Sequence, residues 1–223
     1  LTMGASHYPG RLELYGPKGS KQRFADLRRP YVSQNTFPMQ LKEVRKGVFF
    51  EHPFFTLEAL PLKHSTTVLG YSFVEKPKRN INVEYTKKFG LVNNPILRDL
   101  QEGKDIVWQG KKIKASLATK LTPGKKITFI TDTVLCPNAI KLAKNADVLI
   151  CESTYADKLK DKALAHAHLT AKQAAMIAKK AKAKKLILTH FSQRYKDEKL
   201  LEAEARLTFP NTIAAHDFMI YKV

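Results

Sequence analysis

The sequence predicts an α/β fold built in layers and interrupted once by a basic insertion. Two observations carry that expectation. From residue 125 onward, short apolar runs alternate with helix-like stretches, the order that stacks strands and helices into layers. Before that, composition changes at Lys76-Pro-Lys-Arg-Asn80, where charge rises and apolar residues thin out through residue 120. The 223 residues are 43% hydrophobic, enough for one sizeable core, so a single domain spanning 1–223 is expected, with 76–120 inserted into it.

Residues 1–75 read as short strands joined by turns. Arg11-Leu-Glu-Leu-Tyr15 alternates and stops at the turn signal Gly16-Pro17-Lys18-Gly19. Phe54–Leu62 and Thr66–Val74 carry the β-branched and aromatic enrichment of half-buried strands. Segment 76–120 lacks a long apolar period. It reads as an arm projecting from the core, with small helices near Val83–Phe89 and Pro95–Gln101 and the chain's only tryptophan, Trp108. Beyond it, Ile127–Ile130 predicts a strand, Asn138–Lys144 a helix and Val148–Cys151 a strand. Thr170–Ala183 predicts a helix, opened by the capping-box spacing Thr170-Ala-Lys-Gln173. Lys185–Thr189 returns as a strand and Lys199–Leu207 as a helix, and strands at Thr212–Ala215 and Met219–Val223 close the chain.

Thirty-nine Lys+Arg against 20 Asp+Glu leave a net charge of +19. A field of that sign favours a polyanion, most often nucleic acid, and predicts salt-sensitive binding; a solvated lysine-rich surface is the bland alternative. No stretch approaches the ~20 apolar residues of a membrane span, and no basic segment precedes an apolar one as in a secretory leader. The two cysteines, Cys136 and Cys151, form neither a CxxC unit nor a disulfide framework, which suits a reducing cytoplasm. The chain opens Leu-Thr-Met-Gly-Ala-Ser-His7 inside what reads as a packed segment, so a fragment is expected.

Four polar groups stand beside the ends of expected strands: His64, Asp132, Glu152 and His190. Strand ends in layered α/β folds open into one crevice, and two imidazoles with a carboxylate make a nitrogen/oxygen site suited to zinc. Each also has a plain structural reading. Asp132-Thr133 could cap the helix near Pro137, Glu152-Ser-Thr could cap in the same way, and a lone histidine after a strand is often structural. His166 and His168 form an H-x-H pair before the Thr170 helix. They could bind a metal together, or leave a single histidine at a helix N-terminus, placed to exchange protons.

These residues resemble the ribonuclease Z family of the metallo-β-lactamase fold. Leu62-Lys-His64 with Gly70-Tyr71-Ser72-Phe73 resembles the segment in which a metal-binding histidine precedes a Gly-Tyr strand. Ile130-Thr-Asp132-Thr133 is similar to the family's Gly-Asp-Thr stretch, Cys151-Glu-Ser-Thr154 to its His-Glu-Ala-Thr motif, and His168-Leu-Thr170 to its His-Ser-Thr motif. His190-Phe-Ser-Gln-Arg-Tyr195 matches the closing His-Phe-Ser-x-Arg-Tyr motif almost residue for residue. Within 76–120, Gly90-Leu-Val-Asn-Asn94-Pro95 resembles the Gly-Pro element of the family's tRNA-gripping arm, with Asn94 in place of glycine.

The resemblance implies an αββα sandwich and a zinc-dependent endoribonuclease that removes the 3′ trailer of precursor tRNA. It also implies a cytoplasmic homodimer. Two zinc ions are implied per complete site. His64 and His190 would each bind one and Asp132 would bridge them. His168, oriented by Glu152, would protonate the leaving oxygen, and Arg194 would contact the phosphate. Asn94 and Pro95 would touch the RNA. The family's His-x-His-x-Asp-His motif would fall just before Leu1, so the sandwich is expected incomplete at its N-terminus and the chain alone inactive. Another hydrolase of the fold, acting on a small ester or phosphodiester, and a degenerate RNA-binding module are the rival readings.

Overall fold

The computed structural model describes residues 10–28 and 38–223; His7 lies outside them. β1 (Leu12–Gly16), α1 (Ser20–Arg28), β2 (Met39–Glu43), β3 (Gly47–Glu51), β4 (Phe55–Pro61) and β5 (Leu69–Glu75) come first. The inserted region holds β6 (Lys78–Ile81), α2 (Val83–Lys87), α3 (Leu97–Gln101), β7 (Ile106–Trp108), β8 (Lys111–Ile113), α4 (Ala115–Ala118) and β9 (Thr119–Thr122). The C-terminal part runs β10 (Lys126–Ile130), α5 (Pro137–Leu142), β11 (Val148–Glu152), a 3-10 turn at Asp157–Leu159 and α6 (Lys160–Ala165). It ends with α7 (Ala171–Ala181), β12 (Leu186–Thr189), α8 (Lys199–Arg206) and β13 (Thr212–Ala214).

Two compact units divide these elements. One takes the chain to Glu51, Leu57–Phe73 and Lys126–Val223; the other takes His52–Thr56 and Val74–Lys125. A seven-stranded sheet runs in the order β13-β12-β11-β10-β5-β4-β3. Its strands β10 to β13 are mutually parallel, with Ile130 opposite Cys151 and Glu152 opposite Thr189. Val148, Leu149, Cys151, Leu186, Ile187 and Leu188 are all buried, the continuous apolar run of strands covered on both faces. That pattern made this half of the fold legible. β1 and β2 form a separate parallel pair, Leu12 opposite Met39.

α7 covers the sheet with a stripe of small residues: Ala171, Ala174, Ala175 and Ala178 are fully buried at helical spacing, beside Ile177. The capping box read in the sequence is formed, Thr170 accepting from Gln173 N and Gln173 returning to Thr170 N. Leu142 of α5 and Leu62 close on Gly70, where an added Cβ would sit 2.7 Å from Leu142 Cδ2, so β5 requires glycine there. The strand expected at Met219–Val223 is not formed; that tail is irregular and Phe218 and Ile220 are exposed, so no partner strand rewards pairing.

The second unit has its own small core of Leu91, Leu100, Ile106, Ile113, Ala115 and Ala118. Its elements are three to five residues long, too short for any apolar period to show. β6 pairs antiparallel with β9. β7 and β8 form a hairpin whose two-residue loop, Gln109-Gly110, has φ of 48° and 75°, the two positive values a type I′ turn demands. Trp108 Nε1 donates to the Phe89 carbonyl at 3.1 Å. Asn94, read as a glycine substitute, keeps an ordinary φ; its neighbour Asn93 takes the left-handed turn at 48°, and Asn94 Oδ1 accepts from Ile96 N at 3.1 Å. Pro95 follows, its carbonyl accepting from Arg98 N at 3.0 Å.

Candidate metal centre and active site

The first unit gathers polar groups at the C-terminal ends of three adjacent parallel strands. Asp132 follows β10 by two residues, Glu152 ends β11, and His190 comes directly after β12. Asp132 and His190 turn out of their strands with φ of 50° and 59°. Aspartate and histidine are among the residues that tolerate this left-handed region, and such outliers gather at functional sites.

Glu152 organises the site. Its side chain is 0% exposed, yet both oxygens are satisfied. Oε1 accepts from Thr133 N at 2.7 Å and faces His168 Nδ1 at 3.1 Å. Oε2 accepts from Leu169 N at 3.0 Å and from the Thr154 hydroxyl at 2.7 Å. The capping alternatives fail here, since the N-cap of α5 is Cys136, and the turn and helix that follow Glu152 have Ala156 and Leu159 at their N-caps, all without a side-chain bond.

Hydrogen bonding assigns the tautomers. His168 donates from Nδ1, because carboxylate Oε1 can only accept. The Thr154 hydroxyl spends its hydrogen on Glu152, so the 2.9 Å contact with His190 Nδ1 is a donation from the ring. His64 Nδ1 faces the carbonyl of Ala167 at 3.0 Å and donates to it. Each ring is thus held by Nδ1, which leaves Nε2 as the nitrogen available to a ligand, the arrangement in which histidines serve metals. The His168 ring lies 5.3 Å from that of His64 and 5.2 Å from that of His190, centre to centre.

His190 Nε2 stands 3.4 Å from Asp132 Oδ1. Two lone-pair groups at that distance repel unless a proton or a cation lies between them. Asp132, His168 and His190 each offer a ligand atom, all within 4.8 Å of one another. The donor set, imidazole nitrogen and carboxylate oxygen, fits zinc. His64 is not in that trio, although its ring adjoins His168.

The supporting loops are tied to one another. Lys63 N donates to Thr133 Oγ1 at 3.1 Å and Val134 N to the Lys63 carbonyl at 2.9 Å, joining the His64 loop to the Asp132 loop. Ala156 N donates to the Tyr195 hydroxyl at 2.8 Å. Arg194 is exposed, with Nε on Ser192 Oγ at 2.9 Å and its guanidinium 4.9 Å from the Tyr155 ring centre. His166 caps the C-terminal end of α6, exposed and with its ring 6.4 Å from that of Tyr155, so the H-x-H pair divides and only His168 offers a ligand atom beside Asp132 and His190. Cys151 is fully buried behind Glu152. Burial first, and then the Glu152 charge, push its thiol well above the ordinary range, so it is packing and not a nucleophile. Asn94 and Pro95 belong to the second unit.

Sequence reasoning missed Thr154 as a link between Glu152 and His190, Thr133 as a backbone donor, and the Ala167 carbonyl. Only Thr154 had a signal, standing two positions after a strand-end carboxylate. Ala167 closes α6 in a Schellman arrangement, with His168 N on the Ala163 carbonyl and φ of 59°. Alanine is strained there, so Ala167→Gly should stabilise the chain by about 0.5–1 kcal/mol, raising Tm by about 1–4 °C. An unchanged or lowered Tm in thermal unfolding would refute the strain.

The parallel sheet, the strand-end donors and the buried carboxylate beneath them define a hydrolase of the metallo-β-lactamase fold. Residues 104–191 match the Beta-lactamase superfamily domain. The human short-form tRNase Z crystal structure superposes with a TM-score of 0.61 at 24% identity, covering 94% of this chain and 67% of that one. A ribonuclease Z from Picosynechococcus sp. is 37% identical over the whole chain, which spans 73% of it. A ribonuclease Z from Protochlamydia amoebophila is 36% identical over 94% of the chain and 69% of its own length. The chain belongs to the ribonuclease Z family, whose members are metal-dependent endoribonucleases. Among the described residues no helix is long and apolar enough to cross a membrane.

Proposed function

We propose that this chain is part of a zinc-dependent endoribonuclease that removes the 3′ trailer from precursor tRNA. The observation that carries the proposal is the cluster of three histidine rings, each fixed through Nδ1, in which His168 and His190 offer ligand atoms beside Asp132 and His64 adjoins His168. Asp132, His64 and His190 would hold the zinc. Bound zinc would supply charge neutralisation at the attacked phosphate and an acidified water. His168, its Nδ1–H held by the Glu152 carboxylate, would take up a proton at Nε2 and give it to the leaving 3′ oxygen, returning to the neutral ring. Arg194, exposed and anchored on Ser192, meets the phosphate as a planar fork. The sequence contains no His-x-His-x-Asp-His segment, so these ligands alone should hold zinc weakly and the purified chain should not cleave. Family resemblance extends to a homodimer, which sedimentation of the chain tests.

The second unit, with Asn94, Pro95 and its many lysines, grips the tRNA body through phosphate contacts. Removing residues 80–115 should weaken precursor-tRNA binding about tenfold or more by fluorescence anisotropy, because several charge contacts are lost together. Unchanged binding by the deleted chain would overturn the arm's role. Zinc-dependent cleavage of precursor tRNA by the intact chain would overturn its expected inactivity and support the activity itself. Binding of precursor tRNA no tighter than any polyanion of equal length would favour a general RNA binder.

A further inference from the structure

We propose that a lysine-lined groove at the edge of the sheet opposite the candidate active site is a second binding site, for the phosphodiester backbone of nucleic acid. A cavity of about 420 Å³ is lined by Lys141, Lys144, Lys180, Lys182 and Asn145 among others. A neighbouring cavity of about 420 Å³ shares Lys141, Lys144 and Asn145, so the two are continuous along one face. Asn145 lies just before β11 and Lys182 just before β12, at the N-terminal ends of strands whose C-terminal ends carry Glu152 and His190. A strand of this length at ~3.3 Å per residue puts roughly 15 Å between the two edges. A phosphate in the groove is therefore out of reach of the strand-end donors.

The bland explanation is that these lysines complement helix C-termini, since Lys141 lies in the last turn of α5 and Lys180 in that of α7. The magnitudes decide against it. Each helix end carries about half a negative elementary charge, so two ends offset about one of four ammonium groups. Nor do carboxylates supply the rest. Asp147 is held by Lys184 at 2.7 Å and Glu58 by Lys126 at 3.8 Å, and among the described residues none of the four groove lysines is ion-paired. A concave surface with uncompensated positive charge suits a polyanion.

The lining also says what kind. It contains no aromatic ring for base stacking and no arginine fork for reading a base edge. Lysines on flexible stems recognise phosphates as point charges, which positions a strand without reading its sequence. The groove should then hold RNA and DNA, single or double, by charge density alone. That nucleic acid is the polyanion met there rests on the RNA-processing reading.

The test uses the full chain and a labelled single-stranded oligouridylate, followed by anisotropy across a salt series. One variant carries Lys141→Gln, Lys144→Gln, Lys180→Gln and Lys182→Gln. A control of equal net charge carries Lys18→Gln, Lys21→Gln, Lys199→Gln and Lys222→Gln, none of which lines the groove. All eight lysines are exposed, so both variants should fold, which thermal unfolding verifies. The groove variant should bind at least about tenfold more weakly near 0.1 M salt, with a log–log salt slope smaller by about 2–3, given ~0.7 per phosphate lost. The control should change less than about threefold. Equal losses in both variants, or none in the groove variant, would overturn the site. Loss of binding to phosphatidylserine vesicles with oligouridylate binding intact would overturn it in favour of a membrane surface. The outcomes separate from the tRNA reading. If deleting 80–115 leaves precursor-tRNA binding untouched while the groove variant still loses oligouridylate, the tRNA reading fails and the groove stands. The reverse pattern removes the groove alone.

Discussion

Glu152→Gln should unfold well below the parent chain although the two side chains have nearly the same shape. Both carboxylate oxygens act only as acceptors, and each receives two hydrogens: Thr133 N and His168 Nδ1 on one, Leu169 N and the Thr154 hydroxyl on the other. Glutamine must place an NH2 group at one of those positions. Whichever way it turns, two donors face a donor at a side chain that is fully buried. Leaving buried donors unmet costs about 1–3 kcal/mol each, partly recovered when the Thr154 hydroxyl rotates, so about 2–4 kcal/mol is expected in all. For a chain of this size that lowers Tm by about 5–15 °C in calorimetry or circular dichroism. A parent-like Tm would mean that Glu152 does not knit the three loops together, and the tautomer assigned to His168 would lose its basis.

The same network explains what the sequence could disclose and what it could not. Asp132, Glu152 and His190 were legible because a polar residue after an apolar strand is conspicuous, and because parallel strands bring their C-terminal ends to one edge. His64 was legible as well, as a polar residue between the apolar runs Leu60–Leu62 and Val68–Leu69. Thr154 carried a weak signal, its place two positions after a strand-end carboxylate, but a threonine after Glu152-Ser reads as a cap or a turn, and its function depends on two partners 2 and 36 positions away. Ala167 was hidden for a different reason. Its contribution is a backbone carbonyl, which every residue carries, and its left-handed φ of 59° has no alanine signature. In the inserted unit, Leu100, Ile106 and Ile113 sit in elements of three to five residues, so their core emerges from packing between elements and not from periodicity within one. The closing run Met219–Val223 had strand composition but found no edge to join, a case of context overriding propensity.

Thr154→Val should separate the metal-holding role of the site from its stability. Valine keeps the shape of threonine but removes the hydroxyl that links Glu152 Oε2 to His190 Nδ1 at 2.7 and 2.9 Å. His190 then loses the acceptor that keeps its proton on Nδ1, and the proton can move to Nε2, the nitrogen turned toward Asp132. Removing a partner of this kind from a ligating histidine weakens metal affinity about 10–100-fold, so zinc competition against a chromogenic chelator should shift by that factor. Long-range ¹⁵N–¹H correlation of the histidine rings should show His190 as the Nδ1–H form in the parent and as a mixture in the variant, with no metal added. Thr154→Ser keeps a hydroxyl and should restore both readouts to within about threefold of the parent, since the lost methyl alone leaves the hydrogen bonds intact. Should valine and serine weaken zinc equally, packing and not the proton link would be the function of this side chain. Metal binding would then rest on Asp132 and the imidazoles without a fixed tautomer at His190.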